Sequence, residues 1–310
     1  MRKMPGWTIV TVATAVLLAG CGGDSGKRAT TADPTALRSV KVVAQTEPTR
    51  QPLDAAPAPD GSVIYFTTTG DAGGAVLRTA ADGASAAITV AEGAPLVRPT
   101  GIAVADDGAR AFVADGAVLT VPLPSTGPQP APVVVPGTEG RSARGVDVVG
   151  DDVYFTGMDP ANGAVGLFRV PATGGVVVTV AAGGPFVSPD SVVVAAGGVA
   201  YVSDQGAGAG EGRVFRVADG VVTPILTGLH LGTPAGVTLV HDEKTLLVSS
   251  VDPVTHANQV LFDELASGST ATRVIGDSRD SSGGLHRARD AAVLAWADVS
   301  RSGRVYRVDP

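Results

Sequence analysis

From residue 39 onward the chain alternates short apolar runs with clusters of glycine, proline and aspartate, a pattern that reads as strands joined by tight turns. The segment 99–115, PTGIAVADDGARAFVAD, holds two such runs around an Asp-Gly turn, the mark of a hairpin. Related pairs occupy 143–157, 189–204 and 234–250, with fainter copies at 52–68 and 283–298. Matching positions at Asp54, Gly101, Gly145, Ser191, Gly236 and Gly284 lie 47, 44, 46, 45 and 48 residues apart. A third run follows in every copy, from AVLRT at 75 to RVYRV at 304, and a fourth in the first five, from AAITVA to ATRVIG. Four short strands per repeat of roughly 45 residues describe one blade of a β-propeller. The spacing therefore predicts an all-β, six-bladed β-propeller of four-stranded blades. The sixth copy ends after its third strand, and an orphan strand pattern, Ser39–Ala44, precedes the first copy. That segment is expected to complete the last blade and close the ring.

Composition fits this picture. Gly 41 and Pro 22 are the punctuation of about two dozen short strands, and charged residues make up only 17%. The run VVVTV at 176–180 reads as a strand buried on both faces between neighbouring blades. A net charge of −7 argues against a nucleic-acid partner held through its phosphates. One cysteine cannot form an intramolecular disulfide, so the ring has to be stable without one.

That cysteine closes a different pattern. Arg2 and Lys3 precede a mainly apolar run, Trp7–Ala19, which is short for a membrane span and suited to a signal-peptide core. It ends in Leu18-Ala19-Gly20-Cys21, which resembles the lipobox of bacterial lipoproteins. The resemblance implies removal of residues 1–20 and acylation of Cys21. An uncleaved anchor, or an ordinary signal peptide followed by a chance cysteine, is the alternative. Residues 21–37 are small and polar and read as a tether, leaving 38–310 as the propeller. The implied partner is a membrane, through the N-terminal lipid, and the implied location is the extracytoplasmic side of the cell envelope. In a Gram-negative cell, Gly22 in place of aspartate would permit sorting to the outer membrane; in a Gram-positive cell the site would be the outer face of the cell membrane.

The repeats resemble the NHL, YVTN and SMP-30/gluconolactonase-like group of propellers. The residues that carry this are Pro99-Thr100-Gly101-Ile102-Ala103-Val104, the turn Asp106-Asp107-Gly108, and Phe112-Val113-Ala114-Asp115. The Gly-His and Trp-Asp pairs of WD40 units are absent, as are the repeated tryptophan motifs of quinone-dependent dehydrogenases. Resemblance to the gluconolactonase-like members implies a divalent cation such as calcium or zinc at the channel mouth, activating water against a lactone or ester. Pro189-Asp190-Ser191 resembles their metal-binding segment and makes Asp190 the candidate ligand. Arg144 stands where the family has an asparagine ligand, and Leu53 near its expected glutamate. A salt bridge between Arg144 and Asp190 is therefore expected in place of a metal, and no cofactor is assigned.

The residues expected on the face carrying the blade-to-blade connections include Arg144, Asp190, Asp204, His256, His286 and Asp298. His286 begins a basic innermost strand, Leu285-His286-Arg287-Ala288-Arg289, which breaks the apolar pattern of its siblings. It reads either as an anion-facing element or as a degenerate closing blade with exposed side chains. Gly206–Gly212 joins two strands and opens no helix, so it is a hairpin and not a phosphate loop. No nucleophile with its partners can be assigned. The chain reads as a binding scaffold for a protein, glycan or small molecule, with a metal-dependent lactonase or esterase as the alternative.

Overall fold

The computed structural model describes residues 39–310, apart from 72, 124–130, 209, 280–281 and 300–302, and the side chains of 275–279. The predicted signal segment, Cys21 and the tether lie outside the described residues. After β1 (Ser39–Gln45), blade 1 comprises β2 (Arg50–Pro57), β3 (Val63–Gly70), β4 (Gly73–Ala80) and β5 (Ile88–Glu92). Blade 2 is β6 (Gly101–Val104), β7 (Arg110–Asp115), β8 (Ala117–Pro122) and β9 (Val133–Val134). Blade 3 is β10 (Val146–Val149), β11 (Asp152–Met158), β12 (Val165–Pro171) and β13 (Val178–Ala182). Blade 4 is β14 (Pro189–Val194), β15 (Ala200–Asp204), β16 (Gly212–Ala218) and β17 (Val221–Leu229). Blade 5 is β18 (Val237–Leu239), β19 (Thr245–Val251), β20 (Ala257–Glu264) and β21 (Ser269–Arg279). Blade 6 is β22 (Ser282–Arg287), β23 (Leu294–Asp298) and β24 (Arg304–Asp309), completed by β1.

The ring closes as the orphan strand predicts. β1 pairs antiparallel with β24, from Ser39 opposite Asp309 to Gln45 opposite Arg304, with a bulge between Val42 and Ala44. The first and last strands thus share one sheet, and the Ser39 hydroxyl donates to the Asp309 carboxylate at 2.6 Å.

The core lies between blades. Phe112, Phe155 and Phe168 fill the contact of blades 2 and 3, while Trp296 stacks on Tyr306 at 4.9 Å where blade 6 meets blade 5. A continuous buried run is found in the inner strand β14, whose six residues are all buried. The sequence 176–180 behaves differently from the expectation: it belongs to the outermost part of blade 3, and Val176 and Val178 are 82% and 46% exposed. Blades splay apart away from the axis, so outer strands lose the neighbour that covers inner ones.

The repeated glycine and hydroxyl positions have one purpose, close approach of adjacent inner strands. A Cβ on Gly145 would collide with the Asp190 carbonyl and lie 2.7 Å from Ser191 Cα. At the same level a hydroxyl from the second strand bridges to the next blade. Thr156 Oγ1 accepts the Gly145 N–H at 2.9 Å and donates to Asp190 O at 2.5 Å. Ser203 Oγ repeats this between the Ser191 N–H and Ala235 O, and Ser249 Oγ between the Gly236 N–H and Gly283 O. In blade 2 alanine occupies the position, and Thr100 Oγ1 donates to Arg144 O at 2.8 Å instead. Blade 6 also has alanine there, Ala297.

Candidate functional site

Antiparallel order places the blade-to-blade connections and the second-to-third-strand turns on one face, here the upper face. Each inner strand starts there and runs down the channel. Asp190 is the second residue of β14, at the top of the channel, and its side chain is 1% exposed. Arg144, one blade earlier, is 34% exposed and brings Nε to 3.1 Å from Asp190 Oδ1, while its Nη1 donates to Ser188 Oγ at 3.0 Å. The Nε contact is an ion pair without hydrogen-bond alignment, so Oδ1 has no hydrogen-bond donor. Oδ2 is better served, by the Ala235 N–H at 2.5 Å and Gln205 Nε2 at 2.8 Å. Burial pushes the Asp190 carboxyl above the ordinary aspartate range, and Arg144 with these donors offsets only part of that.

Asp204, at the end of β15, does not join this pair. Its carboxylate accepts the N–H groups of Val187, Ser188 and Gly206 at 2.8–3.0 Å and so fixes the connection into β14. Asp115 holds the N–H groups of Val97 and Arg98 at the same position of blade 2. Asp298, at the equivalent position of blade 6, is buried and accepts from Asn258 Nδ2 at 3.2 Å. His256 is exposed in the turn before β20, where its N–H donates to Asp252 O at 2.9 Å.

The expectation for His286 needs correcting. It lies neither at the mouth nor in an exposed strand but inside the ring, 5% exposed, with Nε2 2.8 Å from Asp54 Oδ2. Asp54 also accepts the Ala55 N–H of its own blade and the Ile102 N–H of the next. Below it, Arg287 Nη2 reaches Glu243 at 2.5 Å and Nη1 reaches Val240 O at 3.2 Å, both in blade 5. Arg289 crosses the ring to blade 3, placing Nη2 3.0 Å from both oxygens of Asp147, and its Nε lies 3.6 Å from Asp106 of blade 2. Asp147 in turn accepts the Val194 N–H of blade 4 at 2.7 Å. The basic strand is therefore a plug: a charged side chain survives in the channel because carboxylates from other blades neutralise it. The space left beside His286, Arg287, Arg289 and Asp147 is about 20 Å³, room for one water.

Asp147 and Glu243 were not singled out from the sequence, and Asp54 only as a repeat position. Asp54 replaces the repeat glycine and Asp147 interrupts an apolar inner strand, so either could have been matched with 286–289 by charge. Among the described residues no three His, Cys, Asp or Glu side chains converge as a metal would require. The donor set around Asp190 does not fit a hard divalent cation, since this buried carboxylate faces a guanidinium.

No protein-family model matches the chain, and no curated protein matches it. Solved structures do. A gluconolactonase from Xanthomonas campestris is 14% identical with a TM-score of 0.61, over 87% of this chain and 88% of that one. A putative oxidoreductase (glucose dehydrogenase) from Thermus thermophilus is 16% identical with a TM-score of 0.59, over 88% and 99%. The PQQ domain of pyranose dehydrogenase from Coprinopsis cinerea is 10% identical with a TM-score of 0.63, over 87% and 95%. Identities this low establish the propeller fold, and the neighbours' differing chemistries share only that.

Proposed function

We propose that this chain is a lipid-anchored, extracytoplasmic propeller of the NHL/YVTN kind that serves as a binding scaffold in the bacterial envelope. The observation that carries the reading is Arg144 against Asp190. In the gluconolactonase-like alternative Asp190 would have to release that guanidinium and recruit further oxygen ligands, and its neighbours supply the N–H donors of Gln205 and Ala235 instead. The plugged channel supports the same reading, because a ligand then has only the faces to use. The upper face carries the longer, variable turns and the exposed Val97, Val187 and Val254, which suit recognition of a protein, glycan or small molecule. The lactonase reading keeps two supports, the Pro189-Asp190-Ser191 segment and the gluconolactonase among the neighbours.

Titrating the full-length lipoprotein in detergent with calcium or zinc, with melting temperature and lactone turnover as readouts, separates the two. No shift and no turnover are expected; a metal-dependent shift with turnover overturns the scaffold reading. A photo-crosslinker at Val187 should give a discrete adduct in intact cells, whereas one at Val176 on the outer edge should not. Cys21→Ser should abolish labelling by a fatty acid, and unchanged labelling would refute the anchor.

A further inference from the structure

Two of the blade-to-blade connections carry the same device. Gly93-Ala94-Pro95-Leu96-Val97-Arg98-Pro99 leads into blade 2, and Gly183-Gly184-Pro185-Phe186-Val187-Ser188-Pro189 leads into blade 4. In each, the N–H of the fourth residue donates back to the carbonyl of the first, Leu96 to Gly93 at 2.8 Å and Phe186 to Gly183 at 3.3 Å. Leu96 and Phe186 are buried in the inter-blade clusters beneath. The next two N–H groups are taken by the carboxylate that ends the second strand, Asp115 in blade 2 and Asp204 in blade 4. Held this way, Val97 and Val187 still stand 69% and 51% exposed. An apolar anchor and two charge-assisted hydrogen bonds thus fix each valine in water, which lowers the ordering cost of covering it.

The two devices are joined through Arg144. Thr100, three residues after Val97, donates to Arg144 O at 2.8 Å, and Arg144 Nη1 donates to Ser188 Oγ, beside Val187, at 3.0 Å. The guanidinium therefore lies on the path between the valines, one-third exposed, and its Nη2 has no hydrogen-bond partner among the described residues. Arg98, beside Val97, is exposed and its side chain makes no ion pair among them. The carboxylates closest along this path are occupied, Asp115 by backbone N–H groups and Asp190 in the buried ion pair. The opposite face differs, with Asp60, Asp107, Asp151 and Asp290 exposed on the turns between first and second strands.

We propose that the upper face around blades 2–4 docks an extended acidic–aliphatic segment of another protein, with a carboxylate on Arg144 and an aliphatic side chain against each of Val97 and Val187. This rests on the scaffold reading and names its partner. A guanidinium with a free Nη2 selects a carboxylate, and the aspartates of the opposite face repel the same segment there. In an extended chain alternate side chains share a face about 7 Å apart, so Leu-Ser-Glu-Ser-Leu carries the pattern with its leucines about 14 Å apart.

Methyl NMR of the full-length protein in detergent, with carbon-13 in the valine methyl groups, tests this with Leu-Ser-Glu-Ser-Leu, blocked at both ends, as the probe. Saturable shifts are expected at Val97 and Val187, while Val176, more exposed but on the outer edge, stays unmoved. Leu-Ser-Lys-Ser-Leu should bind at least about tenfold more weakly, because it loses a charge-assisted hydrogen bond and brings a like charge to Arg144. Arg144→Gln should erase the difference between the two peptides. Equal binding of both peptides to the wild type, equal shifts at Val176, or no saturable shift at millimolar peptide overturns the proposal. Shifts at the two valines on raising the protein concentration alone, or on moving the protein from detergent into lipid nanodiscs, assign the patch to a second copy or to the bilayer and overturn it as well. A discrete adduct from the Val187 crosslinker in cells, together with failure of the peptide, strikes the acidic–aliphatic partner and leaves the scaffold standing; absence of the adduct strikes the scaffold itself.

Discussion

Replacing Ser203 by alanine isolates what one inter-blade hydroxyl contributes. Ser203 is fully buried, and its Oγ accepts the Ser191 N–H at 3.0 Å while donating to Ala235 O of the next blade at 2.8 Å. Removing one oxygen leaves a void too small for water, so solvent cannot replace either bond. One buried donor and one buried acceptor then lose a partner, at about 1–3 kcal/mol each. The carbonyl has a second lone pair and suffers less, which puts the total near ~3 kcal/mol. For a propeller of this size that corresponds to a melting temperature lower by about 5 °C. Urea unfolding followed by the fluorescence of Trp296, buried against Tyr306, reads the loss independently. Thr100→Val, which removes only the donor to Arg144 O and strands no N–H, should cost less, about 1 kcal/mol. Ser85→Ala, on an exposed loop, should cost almost nothing. If Ser203→Ala fell within the roughly 0.5 kcal/mol of ordinary surface changes, the hydroxyl bridge would be incidental to inter-blade stability.

Three other outcomes follow from the same geometry. Gly145→Ala puts a Cβ against backbone atoms of blade 4, which cannot yield as a side chain would, and should cost about 3 kcal/mol or more; Gly197→Ala, with nothing within 4 Å, is the control and should fold normally. Deleting 39–45 strips the outer strand from blade 6 and leaves β24 as a bare edge, so thermal scans should show a much lower midpoint and aggregation; an unchanged midpoint contradicts closure by β1. Arg289→Met leaves the mostly buried Asp147 without its cation and should destabilise by about 3–5 kcal/mol, while adding Asp147→Asn should recover part of the loss; strictly additive effects in this double-mutant cycle would mean the pair is not coupled.

The fold was legible because a propeller writes its period into the chain. Each blade needs a glycine or small residue where inner strands converge and a turn after each strand, so Gly101, Gly145 and Gly236 recur in register. Ring closure was legible for the same reason, since an incomplete sixth repeat and an orphan strand have one economical solution. The exposed side of VVVTV was not legible, because burial in a blade depends on distance from the axis, which a repeat pattern does not encode. The site was legible only where partners are one repeat apart. Arg144 and Asp190 are 46 positions apart and occupy equivalent places in neighbouring blades, so their ion pair could be anticipated. Arg289 and Asp147 are 142 residues apart and meet across the ring. Pairing them requires knowing that blade 6 faces blade 3, which follows from the number of blades and not from either residue.

The same aspartate-rich chemistry serves three ends in this ring, and position within the blade separates them. At the end of a second strand, Asp115 and Asp204 accept backbone N–H groups and shape the connections of the upper face. On inner strands, Asp54 and Asp147 accept an N–H from the next blade and also hold a side chain from blade 6, the His286 imidazole and the Arg289 guanidinium respectively. Asp190 alone stands at the top of the channel with a partly exposed arginine as its counter-ion. Carboxylates of the first two kinds are consumed by the fold, so their number says nothing about metal binding. The upper face also presents the Arg144 guanidinium, held by Asp190 and Ser188. Asp190 and Arg144 thus differ from the other carboxylate pairs in reaching solvent, because the guanidinium stays partly exposed while its counter-ion is buried.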